Sequence, residues 1–348
     1  MNPSPSRPRG RRVRAVLGVA VAAALLPASQ LLAAPHASAA PAASAAPGAS
    51  QSHGADTAAR SADGGVVHFV RSHGHLVRVV THGRYGIVAA DGTSAVPARR
   101  RANSGGLQYN GGVVQHSPRV YLVYWGSQWD NDSNGIQPYM TNLFNGIGTS
   151  SDSWSATTTQ YPDSSGTGPS FTGPVLAGSW VDDSAPAPAA AQQADIAAEA
   201  DAAASHFGVA GDPDAQIVVM SPHGTSPDGW PSSGFCAWHD YTGSVSYSNM
   251  PYQLDAPSGS RCPNAALGGK LDAFSIVEGH EFAESVTDPQ PSSGWVDANG
   301  EEIGDLCESN FQDVTLSTGT FAMQPLWSNN DGGCVITPGS GTGSATAR

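Results

Sequence analysis

The chain has 348 residues, and its 29 acidic residues outnumber its 16 basic ones, so its formal charge is −13 at pH 7. Twelve of the basic residues lie at or before Arg101, and from residue 102 onward 26 acidic residues face four basic ones. Because such an acidic chain repels phosphate groups, nucleic acid and anionic membrane surfaces are excluded as partners.

The first 39 residues have the parts of a secretory signal peptide. Arginines between Arg7 and Arg14 form a basic start, an Ala/Leu/Val-rich run follows, and Ala-Ser-Ala at 37–39 matches an A-x-A cleavage site. Pro27 interrupts the apolar run, which argues against a membrane anchor. We therefore expect a secreted, extracellular protein that is soluble and monomeric after signal cleavage.

Residues 40–104 precede the expected domain and begin with an Ala/Ser/Pro-rich linker. Within them, residues 66–90 form short β-like runs broken by glycines. Three consecutive arginines, 99–101, follow in a polar context. Two interpretations are open here: a pro-segment removed near Arg101, or an N-terminal hairpin that the mature chain keeps.

Residues 105–336 have the length of a single compact domain. Within this segment "RVYLVYWG" (119–126) and "DAQIVVMSP" (214–222) predict buried strands, since both are apolar runs bounded by turn residues. Strands interleaved with long helices indicate an α/β or α+β domain with a central mixed sheet.

Two long helices are predicted in this domain. The Ala-rich segment 188–208 has high helix propensity and ends at a glycine. The second helix covers about 270–287 and stops before Pro289, because the residue preceding a proline disfavours helical geometry. Beyond the domain, residues 337–348 are rich in Gly, Ser and Thr and are expected to form a disordered tail.

Four cysteines occur, Cys236, Cys262, Cys307 and Cys334. An even number in an exported chain predicts two disulfides, and the sequential pairs 236–262 and 307–334 are the simplest of the three connectivities. No C-x-x-C spacing is present, so a four-thiolate zinc site is not expected.

The segment "GHEFAESVTDP" is one substitution away from H-E-x-x-H, the helical zinc motif of metalloproteases. Residues four apart on a helix share a face, so His280 and Glu284 can bind one Zn²⁺ side by side. Glu281 is rotated by about 100° from His280, where it can face water and act as a general base. Apolar neighbours predict a buried helix, and buried ionisable groups need a partner, which a cation supplies.

A zinc site of this kind needs a third protein ligand. Downstream, "GWVDANGEEIGDLCE" gathers several carboxylates before and after Cys307. Glu302 is our first choice for the ligand, with Glu301 and Asp305 as alternatives. Asp305 or Asp288 can serve instead to orient His280 through its other ring nitrogen.

The same residues also fit an ordinary acidic helix, with Glu281 and Glu284 in solvent and His280 as a core histidine. The apolar surroundings and the second carboxylate cluster favour the metal site over this interpretation. Catalysis is a separate expectation, because a carboxylate ligand donates more charge to zinc than a histidine does and weakens its Lewis acidity.

Two further groups of residues are candidates for sites. Asp130, Asp132 and Asn134 alternate like the start of a calcium-binding loop, but Thr141 stands where the bidentate Glu belongs. The alternatives are a structural Ca²⁺ and a turn that leads into a helix at about 136–147.

His223 and His239 follow β-like segments and are expected in loops. Each has two interpretations: a catalytic group that stabilises a developing oxyanion, or a loop histidine with a local hydrogen bond.

Several ordered motifs resemble bacterial relatives of the plant EXORDIUM/phosphate-induced secreted proteins. The motifs are "GGVVQHSPRVYLVYWG", "GFCAWHDY", "GHEFAESVTDP" and "GWVDANGEEIGDLC", and the resemblance covers about residues 110–336. It implies a single zincin-like domain, and bacterial members with the H-E-x-x-E helix look like metallopeptidases. Their second motif, G-x-E-I-G-D-x-C, matches Glu302 and Asp305 here. The plant members are cell-wall proteins linked to growth, and the resemblance implies no enzymatic activity for them.

Two functional hypotheses follow from these features. The first is a secreted zinc-dependent endopeptidase-like hydrolase of proteins or peptides, with zinc held by His280, Glu284 and Glu302 and with Glu281 as general base. The second is a non-enzymatic extracellular or cell-wall-associated protein that contacts a cell-wall polymer and holds at most a structural metal.

Overall fold

The computed structural model describes residues 59–60, 66–72, 75–81, 106–260 and 262–339. The predicted signal peptide, the linker to residue 58, the arginines 99–101 and the tail from residue 340 lie outside these described residues. All described residues belong to one compact unit, 54–348. No helix within them is both long enough and apolar enough to span a bilayer.

Three α-helices occur in the described part of the chain, α1 (Ile136–Gly146), α2 (Gln193–Phe207) and α3 (Asp272–Thr287). The strands, in chain order, are β1 (Ala59–Arg60), β2 (Val66–Ser72), β3 (His75–Thr81), β4 (Gln108–Tyr109), β5 (Arg119–Trp125), β6 (Leu176–Asp182), β7 (Ala215–Met220), β8 (Trp238–Tyr241), β9 (Ser246–Met250), β10 (Trp295–Val296), β11 (Gln312–Leu316), β12 (Gly319–Met323), β13 (Leu326–Ser328) and β14 (Gly333–Val335).

A five-stranded mixed sheet, in the order β6-β5-β7-β9-β8, forms the centre of the domain. Its first four strands are parallel and β8 pairs antiparallel with β9, so that His239 lies opposite Ser248. The predicted strands β5 and β7 are adjacent in this sheet, and their continuous apolar runs are typical of strands covered on both faces. The expected mixed α/β fold with a central mixed sheet is confirmed.

Each face of the sheet carries its own hydrophobic core, because successive side chains of a strand point to opposite faces. Leu122 and Val218 pack with α1 and α3, whereas Val123 and Ile217 pack with α2. The helix α2 begins at Gln193 rather than at the predicted 188. The reason is local: Gln192 and Asp195 form a reciprocal capping box that fixes the first helical turn.

The helix α3 is enclosed on all sides, and each of its 16 residues is buried. It packs on β8 and β9 on one side and on β12 of the β11–β12 hairpin on the other. This confirms the buried motif helix predicted over 270–287, which ends just before Pro289. The enclosure places five ionisable side chains in the protein interior: Asp272, Glu278, His280, Glu281 and Glu284.

Two disulfides, Cys236–Cys262 and Cys307–Cys334, confirm the sequential pairing. The second one ties the loop that follows β10 to β14. This matters for the site because Glu302 and Asp305 lie in that loop.

At the N-terminal side of the domain, β2 pairs antiparallel with β3, as the β-like runs predict, and β1 pairs with the other edge of β2. Whether this segment is a removable pro-segment stays a prediction. At the other end, hydrogen bonds join Thr337 to Ser153 and Gly339 to Asp331, and the disordered tail expected from residue 337 stays a prediction.

Candidate metal centre

Two histidines and several carboxylates meet beside the C-terminal half of α3. His280, Glu281 and Glu284 come from α3, His239 from β8, and Asp305 from the loop before Cys307. The burial is nearly complete, with 1% of His280 and 0% of Glu284 exposed. Such groups are stable in the interior only when opposite charge or hydrogen bonds compensate them.

The first group of ligand atoms surrounds the Nε2 atom of His280. Glu284 Oε1 lies 3.0 Å and Asp305 Oδ1 lies 3.7 Å from this nitrogen. The Asp305 backbone amide also donates to Glu284 Oε1 at 3.2 Å. The structure thus brings together two of the predicted ligands and Asp305, which was an alternative for the third.

The second group surrounds the Nδ1 atom of His239. Glu281 Oε2 lies 3.4 Å and Glu284 Oε2 lies 3.5 Å from this nitrogen. In each group one candidate ligand atom from each of the three residues lies within 4.8 Å of the others. The two groups share Glu284, which presents a different oxygen to each.

These separations match the spacing of ligands around one ion. Ligand atoms at about 2.0–2.1 Å from a tetrahedral zinc ion lie about 3.3 Å from each other. The distances in the two groups run from 3.0 to 3.7 Å, and most exceed the usual hydrogen-bond length of about 2.9 Å. Imidazole and carboxylate are ligands that zinc accepts, so the residues present fit this ion.

The rear nitrogen of each imidazole has an acceptor of its own. His280 Nδ1 lies 3.3 Å from Gln324 Oε1, and the Gln324 amide group donates to the Gly304 carbonyl at 2.6 Å, which fixes its orientation. His239 Nε2 lies 3.2 Å from the Asp288 carbonyl oxygen. A hydrogen bond at the rear nitrogen leaves the lone pair on the front nitrogen, as a metal-binding histidine requires.

Glu302, our first choice for the third ligand, lies on the other side of His239. Its Oε1 atom is 3.6 Å from His239 Nε2 and has no hydrogen-bond donor among the described residues. Its backbone amide donates to Asp305 Oδ2 at 2.9 Å, which helps to place that carboxylate. In the preceding turn, the Asp297 backbone amide donates to the Glu301 carbonyl, and the Glu301 amide donates to Asp297 Oδ1.

The carboxylates control protonation in this cluster. Burial lowers the pKa of His280, but Glu284, Glu281 and Asp305 outweigh it and raise this pKa to about 10. Burial also lowers the pKa of His239, but Glu302, Glu281 and Glu284 outweigh burial and raise this pKa well above its ordinary value. This part of the fold therefore favours positive charge, which either protons or metal ions supply.

For three buried carboxyl groups, burial is the largest effect on the pKa and favours the protonated, neutral form. Burial raises the pKa of Glu302 and of Glu278 well above the usual range, and it raises the pKa of Asp288 to about 6. The Asp288 carboxylate accepts the Gly294 amide at 2.7 Å, so this residue mainly organises the chain after α3.

Three features of the centre are absent from the sequence-based expectation. His239 lies in the strand β8 rather than in a loop, because residues 238–241 pair with β9, and its ring faces Glu281 and Glu284. Gln324, rather than Asp288 or Asp305, faces the rear nitrogen of His280. Glu278 is fully buried and bonded to Ser248, and its place two residues before His280 on a buried helix is a signal that could have identified it.

The other candidate residues lie at the opposite end of α3, near Lys270. Asp132 caps α1 by accepting the Gln137 amide, and Asn134 Oδ1 accepts from Lys270, while Ca²⁺ binding there stays a prediction. The helix predicted after this turn is α1. His223 is a loop residue whose Nδ1 lies 2.5 Å from Asp255 Oδ1. Both groups border a cavity of about 690 Å³ at the carboxyl ends of the parallel strands.

No protein-family description matches the chain, and neither a curated protein nor a solved structure matches it. The fold and the site define a mixed α/β domain with a buried histidine–carboxylate cluster. The resemblance to EXORDIUM-like proteins stays a prediction.

Proposed function

We propose that the protein is a secreted, zinc-dependent, zincin-like hydrolase that acts on proteins or peptides and is related to the EXORDIUM-like group. The ion would be held by His280, Glu284 and Asp305. The observation that supports this most is the convergence of these three side chains at coordination spacing, with the rear nitrogen of His280 bonded to Gln324.

Asp305 takes the ligand position for which Glu302 was the first choice. Its carboxylate oxygen is 3.7 Å from His280 Nε2, whereas Glu302 Oε1 lies 3.6 Å from the rear nitrogen of His239. In this arrangement Glu302 acts as a positioning residue for His239. Its raised pKa suits a buried carboxyl group whose Oε1 atom has no hydrogen-bond donor in the described part of the chain.

When bound, zinc supplies a Lewis acid that polarises a carbonyl group and lowers the pKa of water. Glu281 follows His280 on the same helix and is the carboxylate that takes the proton from water. His239 Nδ1, at 3.4 Å from Glu281 Oε2, orients this carboxylate. Gln324 holds His280 in the tautomer that leaves Nε2 available.

The test compares purified mature protein with Glu281→Gln and uses two measurements, zinc content and casein hydrolysis with and without a chelator. We expect wild-type protein to contain zinc and to lose hydrolysis on chelation. Glu281→Gln should keep the ion at His280 and lose hydrolysis by at least about a hundredfold, since it lacks the proton acceptor. Glu199→Gln, the same chemical change on α2, is the matched control and should retain both.

A second candidate function is a non-enzymatic extracellular or cell-wall-associated protein with a structural metal. The near-complete burial of both ligand groups favours it, because closed sites are typical of structural ions. Stoichiometric zinc without hydrolysis of any protein or peptide would support this candidate, and binding to a cell-wall polymer would then be tested. Absence of bound metal would contradict both.

A further inference from the structure

We infer that the centre binds two divalent ions, with Glu284 as the bridge between them. The inference rests on the proposed function, because it concerns the metal content of the same site. It assigns the second position to His239, Glu281 and the second oxygen of Glu284. In a two-ion centre, Glu281 therefore becomes a ligand instead of only a proton acceptor.

The orientation of Glu284 is the first observation behind this inference. Its Oε1 atom lies 3.0 Å from His280 Nε2, and its Oε2 atom lies 3.5 Å from His239 Nδ1. In two-metal hydrolytic sites the ions lie about 3.5–4 Å apart. One carboxylate spans that separation when it gives one oxygen to each ion. A ligand of a single ion would not need its second oxygen directed at another imidazole.

The second observation is that each imidazole has its own hydrogen-bond acceptor at the rear nitrogen. His280 has Gln324 at its rear nitrogen, and His239 has the Asp288 carbonyl at its own. Each front nitrogen then faces two carboxylate oxygens of its own group. The same arrangement therefore occurs twice, on residues from a strand and from a helix.

The charge of the cluster is the third observation. Glu281, Glu284 and Asp305 carry three negative charges when ionised, which is more than one dication neutralises. Glu302 adds a fourth carboxyl group, 2% exposed, whose Oε1 has no donor within the described residues. When both imidazoles are neutral, as metal binding requires, this buried charge is costly, and a second dication compensates it. One imidazole and two carboxylate oxygens per ion suit Zn²⁺ and Mn²⁺.

The experiment measures metal stoichiometry. The mature protein is stripped of metal and reloaded with Zn²⁺ alone or Mn²⁺ alone. Elemental analysis then gives the bound metal per chain. We expect two ions in the wild type, one in His239→Ala and one in His280→Ala. His223→Ala removes a histidine far from the centre and should keep two.

A spectrum of the Mn²⁺-loaded wild type provides a readout that needs no variant. Paramagnetic resonance should show a spin-coupled pair instead of the sextet of an isolated ion. If His239→Ala does not fold, Glu281→Gln replaces it as the milder change and should also bind one ion.

The outcomes separate this inference from the proposed function. One ion in the wild type, kept in His239→Ala and lost in His280→Ala, overturns the two-ion centre and leaves the hydrolase proposal intact. Two ions that persist in both His239→Ala and Glu281→Gln also overturn it, because the second ion is then elsewhere. No bound ion in the wild type overturns both.

Discussion

Gly304 lies so close to His280 that no side chain fits between them. A Cβ atom at this position would be 2.6 Å from His280 Nδ1 and 2.9 Å from Glu284 Oε1. The backbone there has φ −81°, which any residue adopts, so the requirement is for space and not for conformational freedom. The loop before Cys307 thus packs its backbone directly on two candidate ligands, His280 and Glu284.

Replacing Gly304 with alanine should therefore damage metal binding more than folding. The added methyl group pushes His280 and Glu284 away from their common point, and we expect zinc affinity to fall at least tenfold, or about 1.4 kcal/mol. Competition with a chromogenic chelator measures the affinity. Gly173→Ala is the control, because no atom lies within 4 Å of a Cβ built there. Unchanged zinc affinity in Gly304→Ala would show that the loop moves to accommodate the methyl group and that this contact does not position His280 and Glu284.

At the residue scale, the sequence predicts which residues of one helix meet in the centre, but it does not predict those that come from distant parts of the chain. Helical spacing is enough to place His280 and Glu284 on one face, as the structure shows. It says nothing about His239, which reaches the centre through strand pairing, or about Gln324, which lies after β12. Residues brought together by tertiary packing leave no spacing pattern in the chain.

Between α2 and β6 lies a second pair of buried acids. Glu199 is 7% exposed and Asp182 is 8% exposed, and their carboxyl groups share a hydrogen bond. Burial, followed by the charge and hydrogen bond of Asp182, raises the pKa of Glu199 from 4.5 to about 7. The folded protein therefore keeps a proton there that the unfolded chain releases near pH 4.5.

This pair makes stability depend on pH. Below pH 4.5 both states are protonated, and the stability contribution is lost as pH rises towards 7, because the folded state binds more protons than the unfolded state. Glu199→Gln removes the ionisation, so near pH 8 it should be more stable than the wild type by on the order of 1 kcal/mol, allowing for screening by solvent. Urea unfolding near pH 4.5 and pH 8 measures this. A stability difference that is the same at both pH values would contradict the proposed linkage.

At the scale of elements, apolar runs identify the strands that other elements cover. β5 and β7 are recognisable from their sequences, whereas β6 ("LAGSWVD") and β9 ("SYSNM") have no such run. They become strands because they pair with β5 and β7, and their hydrogen-bonding partners are not encoded locally. The three helices were predictable from propensity and stop signals, with α2 starting later because of its cap.

In the proposed function, the stability of the whole molecule should depend on the bound metal. A ligand that binds only the folded state stabilises it by about 2.7 kcal/mol at a hundredfold excess over Kd. For a domain of this size that corresponds to roughly 5–10 °C in Tm. We expect a chelator to lower Tm by this amount and added zinc to restore it, as measured by calorimetry.

The double variant His239→Ala/His280→Ala should melt at the same temperature with and without chelator. A wild-type Tm that does not respond to chelator or zinc would contradict the metal-dependent stability. The expected dependence follows from topology, since the candidate ligands come from β8, α3 and the loop before Cys307 and meet only in the folded chain.

Cys307 lies two residues beyond Asp305, and its disulfide with Cys334 attaches the loop that carries Asp305 to β14. While the thiols stay reduced, as they do in a cytosol, no disulfide holds this loop in place. In the proposed function, oxidation therefore precedes tight loading, and the newly made chain does not compete for the zinc of the cell that produces it. The ion would be acquired outside, from whatever the surroundings provide.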